Sequence, residues 1–233
     1  MSTQKLIVCL ANSRKLSGRC IAGKEWVQGK AGAWIRPVSA RPHEEVSEHE
    51  RQYEDGSDPK VLDILDVPLL EARPKGAQSE NWLLDPDYYW TKTGEAAWPD
   101  LAKLVDPVGP LWVDGNHTYS GRNDEIPQAS ASAIRSSLRF LFVKRLMIHV
   151  FKPSAAFGNP KRRVQGRFRH GNNDYWLWVT DPVYERKFLL SLDGEYELGD
   201  CYLTVSIGEP YEKTNASYKL IAAIFENNGG VRA

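Results

Sequence analysis

Cysteine is scarce in this 233-residue chain: Cys9, Cys20 and Cys201 are widely spaced and odd in number. That spacing forms no C-x-x-C motif, and it fits a reduced, cytoplasmic setting better than a disulfide framework. Long apolar runs are missing as well. Nowhere do eighteen apolar residues follow one another, and the run inside "KLIVCLANSRK" is too short for the core of a secretion signal, so neither export nor membrane insertion is expected. The chain has no Walker loop, no dinucleotide fingerprint and no G-x-S-x-G elbow, so three common enzyme classes lack their signature. His43 and His49 in "HEEVSEH" stand six residues apart, about 240° around a helix, which prevents them sharing a metal as an i, i+4 pair would. Helical signals are few. "HEEVSEHERQYE" suits a surface turn or short helix, "WPDLAKLV" two turns, and "DPVYERKFLL" opens with Asp-Pro as a helix start.

A further absence is acid. Net charge is zero, but residues 1–134 hold 15 Lys and Arg against 20 Asp and Glu, and residues 135–233 hold 15 against 10. Residues 135–169 contain ten Lys or Arg and no acidic residue. A solvated face usually mixes signs, so a single-sign stretch spread over several strands is the footprint expected of a polyanion partner.

What is present is β-structure with tryptophan. Hydrophobic residues make up 42% and there are 8 Trp, so the chain folds. Strand-like runs are "KLIVCLA", "GRCIAG", "AWIRPVS" and "VLDILDVPLL" in the first half, and "LRFLFVKRLMIHVF", "CYLTVSIG" and "YKLIAAIF" in the second. Between them, residues 114–133, "DGNHTYSGRNDEIPQASASA", are polar and rich in Gly, Ser and Asn, which reads as a linker or long exposed loop. The chain is therefore expected to be mostly β with short helices, organised as 1–113, the 114–133 linker, and 134–233, each half offering the strands of a small five-stranded barrel.

The densest signal is "KRRVQGRFRHGNNDYWLWVTDP", residues 161–182. Two strand-like runs flank Asn172 and Asn173, which predicts an antiparallel hairpin with those two residues as its turn. His170 would then face Tyr175, Arg169 would face Trp176, and Arg167 would face Trp178. Alternation puts Val164, Phe168, Leu177 and Val179 on a core face, and Arg163, Arg167, Arg169, Trp176 and Trp178 on the other. Guanidinium groups beside indole rings offer charge for phosphates and flat surfaces for bases. The structural alternative is that the Trp rings fill a core and the Arg side chains simply pack on them. Lys161 and Arg162 extend the basic run.

The opening "CLANSRKLSGRCIAG", followed by "WIRPVS" and "DVPL", with "VTDPVYE", "LTVSIGEPYE" and "YKLIAAIF" later, resembles the dual-OB domain family of bacterial proteins over nearly the whole chain. That resemblance implies two OB-like barrels in tandem, nucleic-acid binding, and service in bacterial conflict or defence systems. It supplies no catalytic residues.

Two further candidate regions lie in the first half. "ANSRKLSGR", residues 11–19, is expected to be a loop joining two strands, presenting Arg14, Lys15 and Arg19; the alternative is a turn set by Asn, Ser and Gly. Trp34 and Arg36 share a strand face and repeat the pairing of indole with guanidinium; the alternative is a core Trp and an Arg paired with a local acid. Asp193, Glu195, Glu197 and Asp200 could hold a divalent cation, but "SLDGEYELGD" reads better as an exposed turn and strand edge. His149, within "LMIHVF", suits a partly buried strand residue with a hydrogen-bond partner. The leading expectation is a non-catalytic module without metal or cofactor that binds single-stranded DNA or RNA. Its rivals are an adaptor for a protein encoded nearby, and an enzyme or nucleotide sensor with a pocket between the barrels.

Overall fold

A computed structural model describes residues 2–227. The chain divides into two compact units, residues 1–104 with 135–137, and residues 105–134 with 138–233. Residues 114–133, read from the sequence as a linker or long loop, thus lie within the second unit.

In the first unit, β1 (Thr3–Lys15), β2 (Gly18–Val27), β3 (Lys30–Val38), β4 (Asp63–Ala72) and β5 (Asn81–Leu84) pair in the order β1-β2-β3-β5-β4 and close through β1–β4, with β6 (Thr91–Glu95) added at β4. All pairings in this ring are antiparallel except β3–β5. Inward alternation of Ile7, Cys9, Ile21, Ile35, Leu65, Val67, Leu69 and Leu84 fills the ring. A helical turn, α1 (Glu48–Arg51), follows β3 and starts with a capping box between Ser47 and Glu50. A second short helix, α2 (Leu101–Leu104), buries Leu101 and Leu104.

The second unit repeats the plan. Strands β8 (Leu138–Phe151), β9 (Arg163–His170), β10 (Asn173–Val179), β11 (Gly194–Ile207) and β12 (Ala216–Glu226) pair as β10-β9-β8-β11-β12 and close through a parallel β10–β12 contact, Trp178 to Leu220 and Val179 to Ile221. The third and fifth strands of each barrel are thus the parallel pair, and both rings have the same strand order. These are two OB-like five-stranded barrels, as expected. Helix α4 (Pro182–Leu189) lies between the third and fourth strands, and Asp181 caps it by accepting from the Val183 and Tyr184 amides, with Pro182 in the first turn.

Two pieces of the 114–133 segment are regular: β7 (Glu125–Pro127) pairs with the start of β12, and α3 (Gln128–Ala131) follows. The rest is pinned by a buried ion pair. Lys219 on β12 has no exposed side-chain surface; its ammonium donates to Val113 O at 2.6 Å and to Asp114 Oδ1 at 3.0 Å. Burial pulls the Lys219 pKa below the usual lysine range, and the Asp114 carboxylate opposes that. The other Asp114 oxygen accepts from Tyr175 Oη at 2.8 Å and Asn173 Nδ2 at 2.9 Å. A charge this deep is tolerated because every strong partner is supplied locally. Replacing Asp114 by Ala leaves the ammonium unpaired, and we expect a loss of about 3–5 kcal/mol in equilibrium unfolding. Lys219→Met combined with Asp114→Ala should cost less than the two single changes added together, which a double-mutant cycle reads directly.

Candidate nucleic-acid interface

The hairpin of β9 and β10 turns at Gly171 and Asn172, one position before the expected Asn172 and Asn173. Gly171 takes φ +56°, a left-handed conformation that glycine adopts without the Cβ clash other residues meet. Arg167 consequently faces Trp176 rather than Trp178, and Gln165 faces Trp178. Relative to the expected pairing β10 is displaced by two residues. An even displacement leaves every side chain on its own face. Val164, Phe168, Tyr175, Leu177 and Val179 do enter the core, and Arg163, Arg167, Arg169, Trp176 and Trp178 share the outer face.

On that outer face the Arg163 guanidinium lies 3.9 Å from the ring centre of Trp178, and that of Arg167 lies 4.5 Å from Trp176. Both indoles are half-buried, so part of each ring stays in contact with solvent. Phe151, at the end of β8, stacks on Trp178 at 5.9 Å, and His149 stacks on Phe151 at 4.1 Å. The result is a strip of alternating cation and ring across three adjacent strands. The second and third strands of a barrel of this type form its usual ligand-facing surface.

Residues absent from the sequence-based site complete it. Arg122 exchanges backbone hydrogen bonds with Trp176 along the open edge of β10 and sets its guanidinium 5.9 Å from that ring. From there the chain rises over the face: Ser120 O accepts from Gln165 Nε2 at 2.6 Å. Gln165 stands between Arg163 and Arg167 on β9, and its Oε1 accepts from Arg167 Nε at 2.9 Å. Residues 117–122 therefore form a strap across the strip. The strap is shaped by Asp124, whose carboxylate accepts from the Thr118 amide at 2.8 Å and hydroxyl at 2.5 Å. A Cβ on Gly121 would lie 1.9 Å from that carboxylate, so any larger residue there would displace Asp124 from Thr118.

The single-sign stretch is not left uncompensated. Arg162 pairs with Asp193 at 2.6 Å, Arg167 with Glu195 at 2.9 Å and Arg145 with Glu197 at 2.8 Å. Three of the four acids weighed as a cation site, Asp193, Glu195 and Glu197, are thus arginine partners, and the β8–β11 pairing sets Glu195 beside His149 and Glu197 beside Met147. Among the described residues no group of three or more His, Cys, Asp or Glu is placed to hold a metal ion. Arg169 and Arg122 both approach Asp174, at 4.0 and 3.6 Å.

Several expected contacts are relocated. Arg162 does not face the strip: Nη1 and Nη2 donate to Leu189 O and Ser191 O while Nε holds Asp193, so it clamps the C-terminal end of α4. Arg36 is buried against Glu80 at 3.2 Å and donates to Ser137 Oγ at 2.8 Å. Trp34 is also buried, with Lys24 over its ring at 5.4 Å, and Lys24 donates to Leu104 O at 2.8 Å. The second and third strands of the first barrel are therefore covered by that barrel's own chain, and Trp34 and Arg36 are not a surface. Residues 11–19 form no open loop. Arg14 pairs with Arg19 across β1 and β2, with a two-residue turn at Leu16 and Ser17 and Lys15 beside it. These three basic residues belong to the first unit, and the strip belongs to the second. Lys161 is exposed on the loop before β9.

His149 has the hydrogen-bond partner expected of it, because its Nδ1 accepts from the Arg167 guanidinium. Burial pulls its pKa below the ordinary histidine value, and the neighbouring Arg167 charge adds to that. An imidazole whose folded pKa is depressed binds its proton more readily in the unfolded chain. Stability should therefore fall as pH drops below about 6.5, and Arg167→Ala should move the His149 titration upward by NMR.

The family described as "Dual OB-containing domain" matches residues 5–224. Neither a curated protein nor a solved structure matches the sequence. With two barrels of one strand order inside that span, the chain belongs to the dual OB-containing domain family.

Proposed function

We propose that this protein is a nucleic-acid-binding module that takes single-stranded DNA or RNA on the outer face of β9 and β10. The observation behind the proposal is the paired geometry of Arg163 on Trp178 and Arg167 on Trp176. Each pair presents a flat ring beside a positive charge, and a single strand offers both unpaired bases and phosphates. A duplex hides its bases and would use only the charge. The barrel type favours this surface, and the loop of residues 152–162 that joins its first two strands flanks it.

The neutralising acids sharpen the reading. Arg167 is already committed to Glu195 and half-buried, so its contribution to phosphate binding is smaller than that of the exposed Arg163. Affinity then depends on stacking as much as on charge, which suits recognition of unpaired bases. The first barrel contributes no second surface of this kind, because its own residues cover the equivalent strands.

Charge and stacking leave different signatures in a titration of DNA and RNA oligomers at several salt concentrations. Arg163→Ala should flatten the salt dependence by about 0.7 log units per log unit of salt for each single-strand phosphate that is no longer neutralised. Trp176→Ala or Trp178→Ala should cost roughly 1–3 kcal/mol, reduce the preference for single strands, and leave the salt slope nearly unchanged. Trp34→Ala should leave the intrinsic affinity of the folded protein unchanged. Absence of oligomer binding by wild type at low salt would overturn the proposal and favour the protein adaptor.

A further inference from the structure

Two aromatic side chains stand in water and touch each other. Tyr119, on the strap, is 83% exposed, and Phe157, on the loop of residues 152–162, is 72% exposed. Their rings meet edge to face with centres 5.6 Å apart. Each comes from a different loop, and together they are among the most exposed large apolar side chains of the described residues. Stacking on each other hides little of either ring, so the contact does not account for two aromatics in solvent.

Their position is tied to the strip. Ser120, next to Tyr119, is held on Gln165 at the centre of the β9 face, and Arg122, two residues further on, lies over Trp176. On the other loop, Phe157 lies between exposed Lys152 and Lys161, and Arg163 follows at the start of β9. The loop has no acidic residue. Exposed rings on a loop that carries lysines and no acid, and on a strap anchored to Gln165 and Trp176, fit a base with its phosphate better than an apolar partner segment.

We infer that Tyr119 and Phe157 form an outer stacking platform that takes one more base of the bound strand than the Arg–Trp strip does alone. The inference rests on the proposed single-strand binding. The strand leaves the strip beside Trp178 and places its next base against the Tyr119–Phe157 pair, with Lys152 and Lys161 near its phosphate. The strap thus lengthens the site as well as crossing it.

The test compares thymidine oligomers of increasing length by fluorescence anisotropy, with 2-aminopurine placed at successive positions. For wild type, affinity should rise to a plateau, and 2-aminopurine at one terminal position should be quenched by the platform. Tyr119→Ala and Phe157→Ala should each weaken the plateau affinity about 5- to 150-fold, shorten the plateau length, and abolish that terminal quench. Binding of the shortest oligomers should be unchanged, and Tyr119→Phe should restore both signals. If oligomers bind and the alanine variants match wild type at every length, the platform is wrong and the strip stands. If both alanine variants weaken all lengths equally, the rings hold the strap in place instead, which also overturns the platform. If wild type binds no oligomer, the proposed function and this inference fall together.

Discussion

The buried charge pair of Lys219 and Asp114 is the interaction on which the candidate site rests. Removing an ammonium from water costs several kcal/mol unless a counter-charge and hydrogen bonds meet it, and here Asp114 and Val113 supply them. Asp114 also receives the Tyr175 hydroxyl and the Asn173 amide, so the same carboxylate ties β10 and β12 to the chain that precedes the strap. From that anchor Asn123 is fixed to Asp174 O at 2.9 Å, Arg122 to Trp176, and Ser120 to Gln165. A polar segment becomes part of the surface because one charge beneath it has no other place to be satisfied.

One fold is used here in two ways. In both barrels the second and third strands carry basic and indole side chains on the outer face: Lys24, Trp34 and Arg36 in the first, Arg163, Arg167, Trp176 and Trp178 in the second. In the first barrel Leu104 O takes the Lys24 ammonium, and Glu80 with Ser137 takes the Arg36 guanidinium. There the polar groups have become internal partners. In the second barrel the rings stay half-exposed and the cations lie over them. Fold alone does not separate these outcomes: in the first barrel Leu104 and Ser137 meet Lys24 and Arg36, which are buried with Trp34, whereas in the second the strap crosses the strands and leaves Trp176 and Trp178 half-exposed.

Electrostatics follow from register. Antiparallel pairing of β8 with β11 brings Glu195 and Glu197 alongside the basic strands, and the turn before β11 brings Asp193 to Arg162. These exposed pairs contribute little to stability, but they lower the local positive potential beside the aromatic rings. Arg162 shows the complementary case, where a cation in a basic run is turned to the carbonyls at the end of a helix and to Asp193.

What the sequence by itself determined was local and periodic. Alternation assigned Val164, Phe168, Leu177 and Val179 to the core and the Arg–Trp set to the outer face, and this survived a register different from the expected one because an even displacement preserves parity. Asp181-Pro182 marked the start of α4, since a capping carboxylate and a proline act within one turn. Four of the five strands of the first barrel and all five of the second were legible for the same reason, whereas the four-residue β5 (Asn81–Leu84) carries too short a pattern to stand out. Only the tertiary structure decided which charges are neutralised and which loop covers the face. Arg162 meets Asp193 31 positions away, Arg36 meets Ser137 101 positions away, and Lys219 meets Asp114 105 positions away. The Gln165–Ser120 and Tyr119–Phe157 contacts are likewise between separate segments. No local pattern encodes such partners, because they are brought together by barrel closure, which depends on pairings across the whole unit.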